Sequence, residues 1–343
     1  MTAALHVDVG ASPYGEDGLA FALEAERLGV RGVWVAEAWG YDALTPLGFL
    51  AARTTTLRLG TGIAQLGART PAMLAMSAMS LQALSGGRFV LGIGTSGPQV
   101  MEGWHGVRFD APVQRTRETI QIVRTIARGD RLAHQGRVYE LPLPDSDGRS
   151  IRSMAPPVAV PVYVASLGPA NLRLTGELAD GWIGTSFLPE GAASFLDPIR
   201  EGAAAAGRSL DDVDLTVSVA VELGDDVDEI ARRHARGYAF TIGAMGSAGR
   251  NFYNDAFARQ GFADDVREVQ RLWLEGDREA AAARVPLELG LRTNLLGTPD
   301  MVLARLRAYR DAGVTTIRAV PAGDDLAGRL DTLGLLLDLV AEA

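Results

Sequence analysis

The sequence predicts an α/β protein, a closed (β/α)8 TIM barrel with a helical insertion between strands 7 and 8. Segments with strand and helix patterns alternate along all 343 residues. The strand segments are short, continuously apolar runs, as in parallel sheets that are buried between helices. Eight such units make up a barrel, and a doubly wound open sheet is the alternative. Because no repeat, low-complexity tail or linker divides the chain, we expect one domain over residues 1–343, with the insertion at about 225–296.

Each strand is predicted from an apolar run, and each helix from its apolar spacing or from the residues that open it. Thr45-Pro46 and Thr70-Pro71 each supply an N-cap and a first-turn proline. The polar, proline-rich stretch 132–157 is expected to be a loop or a short hairpin. Strands are predicted at 5–9, 33–37, 57–64, 88–94, 161–165, 181–186, 215–223 and 316–320. Helices are predicted at 17–28, from 45 onward, and at 70–84, 112–128, 169–179 and 326–341.

The composition excludes several classes of function. The chain has neither an apolar run of membrane length nor a leader-like start, which predicts a cytoplasmic protein. A net charge of -9 disfavours nucleic acid as a partner, because a phosphate backbone needs a basic face. The absence of cysteine excludes disulfides and thiolate chemistry. Every basic Lys or Arg position is an arginine, which excludes a Schiff-base lysine. Any phosphate must therefore be held by arginines, hydroxyls or backbone N–H groups.

In a barrel of this kind the functional groups lie at the carboxyl ends of the strands. Small residues and hydroxyls dominate these ends, which allows the backbone to approach a large polar ligand. The third strand carries Gly60 and Gly62, and glycine there indicates either a tight turn or backbone brought close to a ligand. The four histidines lack the spacing of a metal site. Only His105, beside Trp104 after the fourth strand, is expected to have more than a packing or surface role.

Glu37, at the end of the second strand, is the best single candidate for acid–base chemistry. A largely apolar pocket would raise its pKa, whereas an ordinary ion pair with an arginine is the alternative. The pattern Gly92-x-Gly94-x-x-Gly97 follows the fourth strand, but Pro98 and the glycines beyond it disfavour the helix that a dinucleotide fingerprint requires. We therefore interpret this pattern as a phosphate-contacting loop, with a ligand-free turn as the alternative.

Several motifs, in order along almost the whole chain, resemble the bacterial luciferase-like superfamily. The most similar branch is that of the coenzyme F420-dependent reductases and dehydrogenases. The resemblance implies a (β/α)8 barrel that binds a flavin or deazaflavin at its C-terminal face. The motifs are Ala36–Trp39 with Tyr41–Ala43, Leu59–Ile63, Arg69–Pro71, Leu84–Phe89, Leu91–Val100, Glu102–Val107, Arg115–Glu118, Ala165–Pro169 and Ala179–Gly181.

The resemblance also implies roles for individual residues. In the deazaflavin branch, a cis peptide bond without proline at the end of the third strand presses on the ring, and the matching bond here is Gly62–Ile63. The catalytic residues would be Glu37 as proton donor or acceptor, with Trp39 and Trp104 as walls beside the ring. The cofactor-binding residues would be Glu37, Gly62, Ile63, Gly94, Thr95, Ser96, Gly97, Gln99, Val100, Ala165, Ser166, Leu167, Gly168, Gly184 and Thr185.

The activity implied by the resemblance is hydride transfer between C5 of coenzyme F420 and a small organic substrate. A reduced-FMN-dependent monooxygenase and a cofactor-binding protein without turnover are the alternatives. Ala38 stands where some sugar-oxidising relatives have a histidine, and the lysines that hold substrate phosphate in those relatives are absent here. These two roles are therefore not carried over. Members of the family are often dimers, so a homodimer is expected, and no metal is expected.

Overall fold

Eight parallel strands close into a barrel in the computed structural model, which describes residues 4–245 and 251–343. Along the chain each barrel strand pairs with the next, and the last pairs with the first, so the predicted barrel is confirmed and the open-sheet alternative is wrong. The strands are β1 (His6–Ala11), β2 (Gly32–Val35), β3 (Arg58–Thr61), β4 (Ala64–Gln65), β5 (Phe89–Gly94), β6 (His134–Gln135), β7 (Glu140–Leu141), β8 (Val162–Ala165), β9 (Gly181–Gly184), β10 (Asp214–Leu223), β11 (Leu295–Gly297) and β12 (Thr316–Pro321).

The barrel consists of β1, β2, β3, β5, β8, β9, β10 and β12, which correspond to the eight predicted strands. β4 continues the chain beyond β3 and pairs with β5, and β11 pairs with the end of β10. β6 and β7 form an antiparallel hairpin, which is one of the two forms predicted for the stretch 132–157.

The helices cover the outside of the barrel and fill the insertion. The insertion predicted at 225–296 is helical over most of its described length. Residues 246–250 of the insertion lie outside the described residues. So do residues 1–3, which belong to the start that was considered for a leader. The helices are α1 (Gly15–Arg27), α2 (Leu44–Ala51), α3 (Pro71–Ser85), α4 (Pro98–Gly103), α5 (Pro112–Ala127), α6 (Pro169–Leu178), α7 (Ala193–Ala205), α8 (Val227–Ala244), α9 (Phe252–Phe257), α10 (Ala263–Leu274), α11 (Arg278–Arg284), α12 (Leu287–Thr293), α13 (Pro299–Asp311) and α14 (Leu326–Glu342).

Helix α4 corrects one expectation from the sequence. Pro98 and the later glycines were expected to prevent a helix after the fourth barrel strand, but six residues are helical there. Gly97 is the N-cap, and Pro98 takes the first helical position, where its missing N–H costs no hydrogen bond. The chain therefore runs from the glycine-rich end of β5 directly into a short helix.

The strands form because their alternate side chains are buried on both faces of the sheet. Val7 and Val9 pack outward against the helices, whereas Asp8 between them faces the lumen. An apolar layer of Trp34, Val90, Tyr163 and Ile183 fills the lumen at mid-height. A Cβ on Gly60 would lie 2.3 Å from the Trp34 ring. Gly60 is thus needed for packing inside the barrel, which is neither the tight turn nor the approach to a ligand that the sequence suggested for it.

Within the described residues, no helix has both the length and the apolar character needed to cross a lipid bilayer.

Candidate functional site

The chain changes direction at the carboxyl end of β3, on the rim of the barrel. After Thr61 it leaves the sheet at Gly62 and pairs again as β4 from Ala64. The Gly62–Ile63 peptide bond is cis, as predicted. A Cβ on Gly94 would lie 3.1 Å from the Ile63 side chain, so Ile63 rests on the end of β5. Gly62 and Ile63 are both partly exposed on this wall of the barrel mouth.

Glu37 follows β2 and forms an ion pair on the same rim. Its two carboxylate oxygens lie 2.7 and 2.8 Å from Nη1 of Arg69, and its side chain is only 8% exposed. The ion pair that we considered as the alternative interpretation is therefore present. Arg69 was noticed in the sequence only as part of a motif, and its position against Glu37 was not predicted.

Gln65 connects Glu37 to His105. The side-chain amide of this buried residue donates to the carbonyl oxygens of Glu37 and Ala38, at 3.0 and 3.1 Å. Its Oε1 lies 2.7 Å from Nε2 of His105. Since the amide nitrogen of Gln65 is donating, Oε1 accepts, and this assigns the proton of a neutral His105 to Nε2. No local sequence pattern indicates Gln65, whereas His105 is the histidine for which more than a packing or surface role was expected.

Two tryptophans on this rim are largely in contact with solvent. Trp39 lies in the loop after β2 and is 56% exposed, and Trp104 ends α4 and is 65% exposed. Isolated exposed apolar side chains are ordinary, but these two indoles directly follow Ala38 and precede His105 in the chain, and both of those residues bond to Gln65. Such a pair suits the edges of a planar ligand.

The loop after β5 contributes main chain and hydroxyls to the rim. Thr95, Ser96 and Gly97 are partly exposed and connect β5 to α4. Ser96 has a left-handed backbone, with φ of 56°. Gln99 and Val100 lie in the first turn of α4. This arrangement suits the phosphate-contacting loop that we predicted, and the phosphate-binding role stays a prediction.

The loop after β8 is held more tightly. The hydroxyl of Ser166 lies 2.9 Å from that of Thr175 in α6, and the Ser166 carbonyl accepts from Trp182 Nε1. The Leu167 carbonyl accepts from Nη2 of Arg259, at 2.6 Å. Ala165 ends β8, and Gly168 is the N-cap of α6. The side chain of Ser166 is thus engaged in packing, while Arg259, which the sequence analysis missed, brings a cation to this loop.

Gly184 ends β9, and Thr185 follows it. A Cβ on Gly184 would lie 2.4 Å from the ring of Trp182, which packs outward among the barrel helices. The missing side chain of Gly184 therefore makes room for Trp182, so Gly184 can offer only its main chain to a ligand in the mouth, whereas Thr185 keeps a partly exposed side chain.

Arg318, on β12, extends across the lumen beneath this rim. Its Nη1 lies 3.5 Å from the Gly62 carbonyl oxygen. A Cβ on Gly62 would lie 2.4 Å from the same nitrogen, so glycine is required there for the arginine to approach. Its Nε is buried and has no hydrogen-bond partner among the described residues. Burial lowers the pKa of Arg318 to about 10, against the opposing effect of the Asp8 charge.

Deeper in the lumen the charged groups are fully paired. Asp8 accepts from Arg31 Nε at 3.0 Å and from Trp34 Nε1 at 2.8 Å. Asp214 lies 3.2 Å from Arg31 Nη2 and 3.4 Å from Arg58 Nη1, and it accepts from the Tyr163 hydroxyl at 2.7 Å. β1 continues to Ala11, three residues beyond Asp8, so Asp8 is inside the barrel and not at its mouth.

These contacts also shift two pKa values in the lower lumen. Burial tends to raise the pKa of Asp214, but the Arg31 charge and hydrogen bonds from Thr315, Tyr163 and Thr316 outweigh it, and the pKa is well below its usual range. Burial and the Asp214 charge raise the pKa of Tyr163 far above its usual value. The lower network is therefore ionised at Asp214 and neutral at Tyr163 at neutral pH.

A cavity of about 560 Å³ lies at the opposite end of the barrel, beside the amino end of β8. It is lined by Arg124, Asp180, Glu177 and Arg208, among others, and Arg124 and Asp180 form an ion pair of 3.0 Å. None of the predicted site residues lines it. Over residues 4–245 and 251–343, no group of three His, Asp or Glu side chains is arranged to hold a metal ion.

Comparisons with known proteins agree with this geometry. A sequence profile described as luciferase-like monooxygenase matches residues 2–316. A Mycobacterium tuberculosis protein named as a coenzyme F420-dependent oxidoreductase is 38% identical over 308 residues, covering 87% of this chain and 88% of that protein.

Two solved structures share the fold, each with a TM-score of 0.77. One is a coenzyme F420-dependent tetrahydromethanopterin reductase from Methanopyrus kandleri, 23% identical, covering 97% of this chain and 98% of that one. The other is an F420-dependent secondary alcohol dehydrogenase in complex with an F420-acetone adduct, 18% identical, covering 98% of this chain and 99% of that one. At these identities the likeness establishes the fold alone.

Proposed function

Since the chain belongs to the luciferase-like monooxygenase family and to its coenzyme F420-dependent oxidoreductase branch, we propose that it transfers a hydride between C5 of the deazaflavin and a small organic substrate. The observation that carries this proposal is the 38% identity, over 87% of the chain, to a protein named as a coenzyme F420-dependent oxidoreductase. Hydride transfer to a small organic substrate is more specific than membership of the family, and the arrangement of the barrel mouth supports it.

The residues of the mouth fit a flat ring with a phosphate-bearing tail. The ring would lie against the main chain of Gly62 and Ile63, with Trp39 and Trp104 at its edges. Hydroxyls and backbone N–H groups would hold the tail, as expected for a chain without lysine. The residues that we propose for the tail are Gly94, Thr95, Ser96, Gly97, Gln99, Val100, Ala165, Ser166, Leu167, Gly168, Gly184 and Thr185.

Two further features support a phosphate near the loop after β8. Gly168 is the N-cap of α6, a helix of 10 residues, and the N-terminus of a helix attracts anions through its free N–H groups and its dipole. Arg259 binds the Leu167 carbonyl beside it. Because Ser166 is engaged with Thr175, its contribution would come from main chain.

The bound deazaflavin would supply the hydride chemistry itself. The protein would orient the ring, exclude water, and hold or move a proton at Glu37. Arg69 fixes both carboxylate oxygens of Glu37, and Gln65 fixes the main chain that carries it. This gives the carboxylate one orientation on the rim, which is what proton transfer at a defined position requires.

A homodimer is the assembly we propose, and an exposed apolar face supports it. Met73, Met76 and Leu84 follow helical spacing along α3 and are 50%, 57% and 68% exposed. Phe49, on the neighbouring helix α2, is 49% exposed. Contiguous apolar surface of this kind is typical of subunit contacts. The other partner we propose is a small-molecule substrate.

The first experiment is a titration of the purified protein with coenzyme F420 and, separately, with FMN, followed by absorbance and fluorescence of the ring. We expect saturable binding of coenzyme F420 and much weaker binding of FMN. Tight binding of FMN without affinity for coenzyme F420 would overturn the proposal. That result would favour the reduced-FMN-dependent monooxygenase, which oxygen consumption coupled to a flavin reductase would detect.

A second experiment tests turnover and the role of Glu37. Alcohols, ketones and activated alkenes are screened by following the cofactor absorbance in both directions. With any substrate found, Glu37→Gln should lower the rate of hydride transfer by about 10²-fold or more, since that is the usual worth of general acid–base catalysis. Glu102→Gln, an exposed carboxylate on α4, is the matched control and should retain the rate. Cofactor binding without turnover on the whole panel would favour the non-catalytic alternative.

A further inference from the structure

Arg318 has no counter-ion within ion-pair distance among the described residues. Its Nε is buried and unpaired, and its Nη1 has only the long contact of 3.5 Å with the Gly62 carbonyl. Buried charges in folded proteins are almost always paired, and a buried polar atom without a partner calls for an explanation. Some other group, supplied from outside the described chain, would therefore complete the surroundings of this guanidinium.

The charges within the lumen do not balance. Among the described residues, three guanidinium groups, those of Arg31, Arg58 and Arg318, face the two carboxylates of Asp8 and Asp214. Glu222, at the mouth end of β10, is already paired with Arg233 of the insertion. Arg31 and Arg58 are within ion-pair distance of these carboxylates in the lower lumen, so the excess positive charge is carried by Arg318 in the upper lumen. An anion is therefore expected to bind above it.

We propose that Arg318 is a cofactor-binding residue that pairs with negative charge on the deazaflavin ring. The proposal rests on the proposed function, because the ring is taken to lie on the main chain of Gly62 and Ile63. Arg318 approaches the carbonyl of Gly62 itself, so a ring resting there covers the guanidinium. Covering it excludes water, which strengthens attraction between the two charges.

The ring has the chemistry to carry such a charge. The hydroxyl on the benzenoid side of a deazaflavin is conjugated with the pyrimidine carbonyls, so its ionised form spreads one negative charge over the whole ring. A cation held against the ring favours that ionised form and lowers the pKa of the hydroxyl. A substrate carboxylate offers similar chemistry, but the contact of Arg318 with the wall at Gly62 favours the ring.

The other charged groups around Arg318 already have partners. On the rim, Glu37 is paired with Arg69, and His105 is hydrogen-bonded to Gln65. Below, Asp8 is held by Arg31 and Trp34, and Asp214 is held by Arg31, Arg58 and Tyr163. A variant at Arg318 therefore changes a single unpaired charge and leaves these pairs in place.

The test is a spectroscopic pH titration of oxidised coenzyme F420 bound to the protein, because ionisation of the ring changes its visible absorbance. In the wild type we expect the bound ring to ionise at lower pH than the free coenzyme. In Arg318→Met the pKa of the bound ring should rise by about one unit, a tenfold change in proton affinity. Arg318→Lys should keep most of the wild-type effect. Arg58→Met, which removes a paired lumen arginine, should raise the pKa of the bound ring less than Arg318→Met does.

An unchanged ring pKa in Arg318→Met overturns the inference. If Arg318→Met loses the circular dichroism of the folded protein, Arg318→Gln, which keeps polar atoms in the lumen, is used instead. Failure of the wild type to bind coenzyme F420 would reject the proposed function, which is a different outcome. Calorimetric titration with benzoate tests whether Arg318 instead binds the carboxylate of a substrate. Benzoate binding that disappears in Arg318→Met, with the ring pKa unchanged, would assign Arg318 to a substrate carboxylate and overturn its assignment to the ring.

Discussion

The lower and upper halves of the barrel lumen use arginine in opposite ways. In the lower half, Arg31 and Arg58 are paired with Asp8 and Asp214, and Tyr163 closes the network. In the upper half, Arg318 has no ion-pair partner among the described residues, and exposed indoles stand on the rim above it. The difference distinguishes a paired network at the base of the barrel from the surface that we propose for the cofactor. Variants of the two halves should accordingly differ in what they impair.

The largest loss of stability is expected from Asp214→Ala. This change leaves the buried side of Arg58 without a carboxylate and removes one of the two carboxylate partners of Arg31. Breaking a buried pair by removing one partner costs about 3–5 kcal/mol, to be measured as the free energy of unfolding in urea. Asp110→Ala is the control, because the Asp110 carboxylate that pairs with Arg115 is exposed to solvent. This variant should change the free energy of unfolding by less than about 1 kcal/mol. Equal losses in the two variants would contradict the comparison.

The same network should make stability depend on acid. The folded-state pKa of Asp214 is depressed by Arg31 and by hydroxyl donors despite burial, so its stabilising contribution is complete above the unfolded pKa of about 3.9. That contribution is lost as the pH falls through the folded pKa, with a total on the order of 2 kcal/mol. Unfolding curves of wild type and Asp214→Asn should therefore differ by a constant amount near neutral pH and converge in acid. A gap that widens on acidification would mean that the sign is wrong.

A smaller loss is expected at the boundary between the two halves. A Cβ on Gly60 would lie 2.3 Å from the Trp34 ring, so Gly60→Ala overpacks the lumen at a cost of about 1–3 kcal/mol. Gly103→Ala, at the end of α4, meets no atom within 4 Å and should leave the thermal midpoint within error or raise it. If Gly60→Ala unfolds at the wild-type midpoint, the packing of Trp34 against the third strand is not tight.

The smallest effect on stability is expected on the rim. Trp104 is 65% exposed, so Trp104→Ala should change the free energy of unfolding by no more than about 0.5 kcal/mol. The same variant should weaken coenzyme F420 binding severalfold, because it removes a wall beside the proposed ring. Leu335→Ala, on the exposed side of α14 and away from the mouth, serves as the control for both measurements. Loss of stability without loss of affinity would place Trp104 with the structural residues.

The strands could be predicted from the sequence because a barrel strand buried on both faces appears as an apolar run. All eight were found, although β1 extends two residues beyond its predicted end. Helices α7 and α13 were not predicted. The first contains an internal proline, Pro198. The second begins with Thr298-Pro299, the same signal used for α3, and its Thr298 hydroxyl accepts from the backbone of Met301.

The site was predicted where one segment carries the signal and was missed where distant segments meet. The end of the third strand was identified from its own glycines and from family motifs. The Arg318 contact with Gly62 joins residues 256 apart in sequence, and the Gln65 contact with His105 joins residues 40 apart. No local pattern indicates such pairs, because they depend on how the barrel closes. An ion pair between Glu37 and an arginine was considered from the sequence, but the sequence does not indicate that the arginine is Arg69.

The most direct test of the account is a crystal structure of this protein with coenzyme F420 bound. The account predicts that the deazaflavin ring lies in the mouth, within about 4 Å of the main chain of Gly62 and Ile63, and covers the guanidinium of Arg318. A ring bound anywhere else would contradict it, whether over the cavity at the amino end of β8 or on the outer helices.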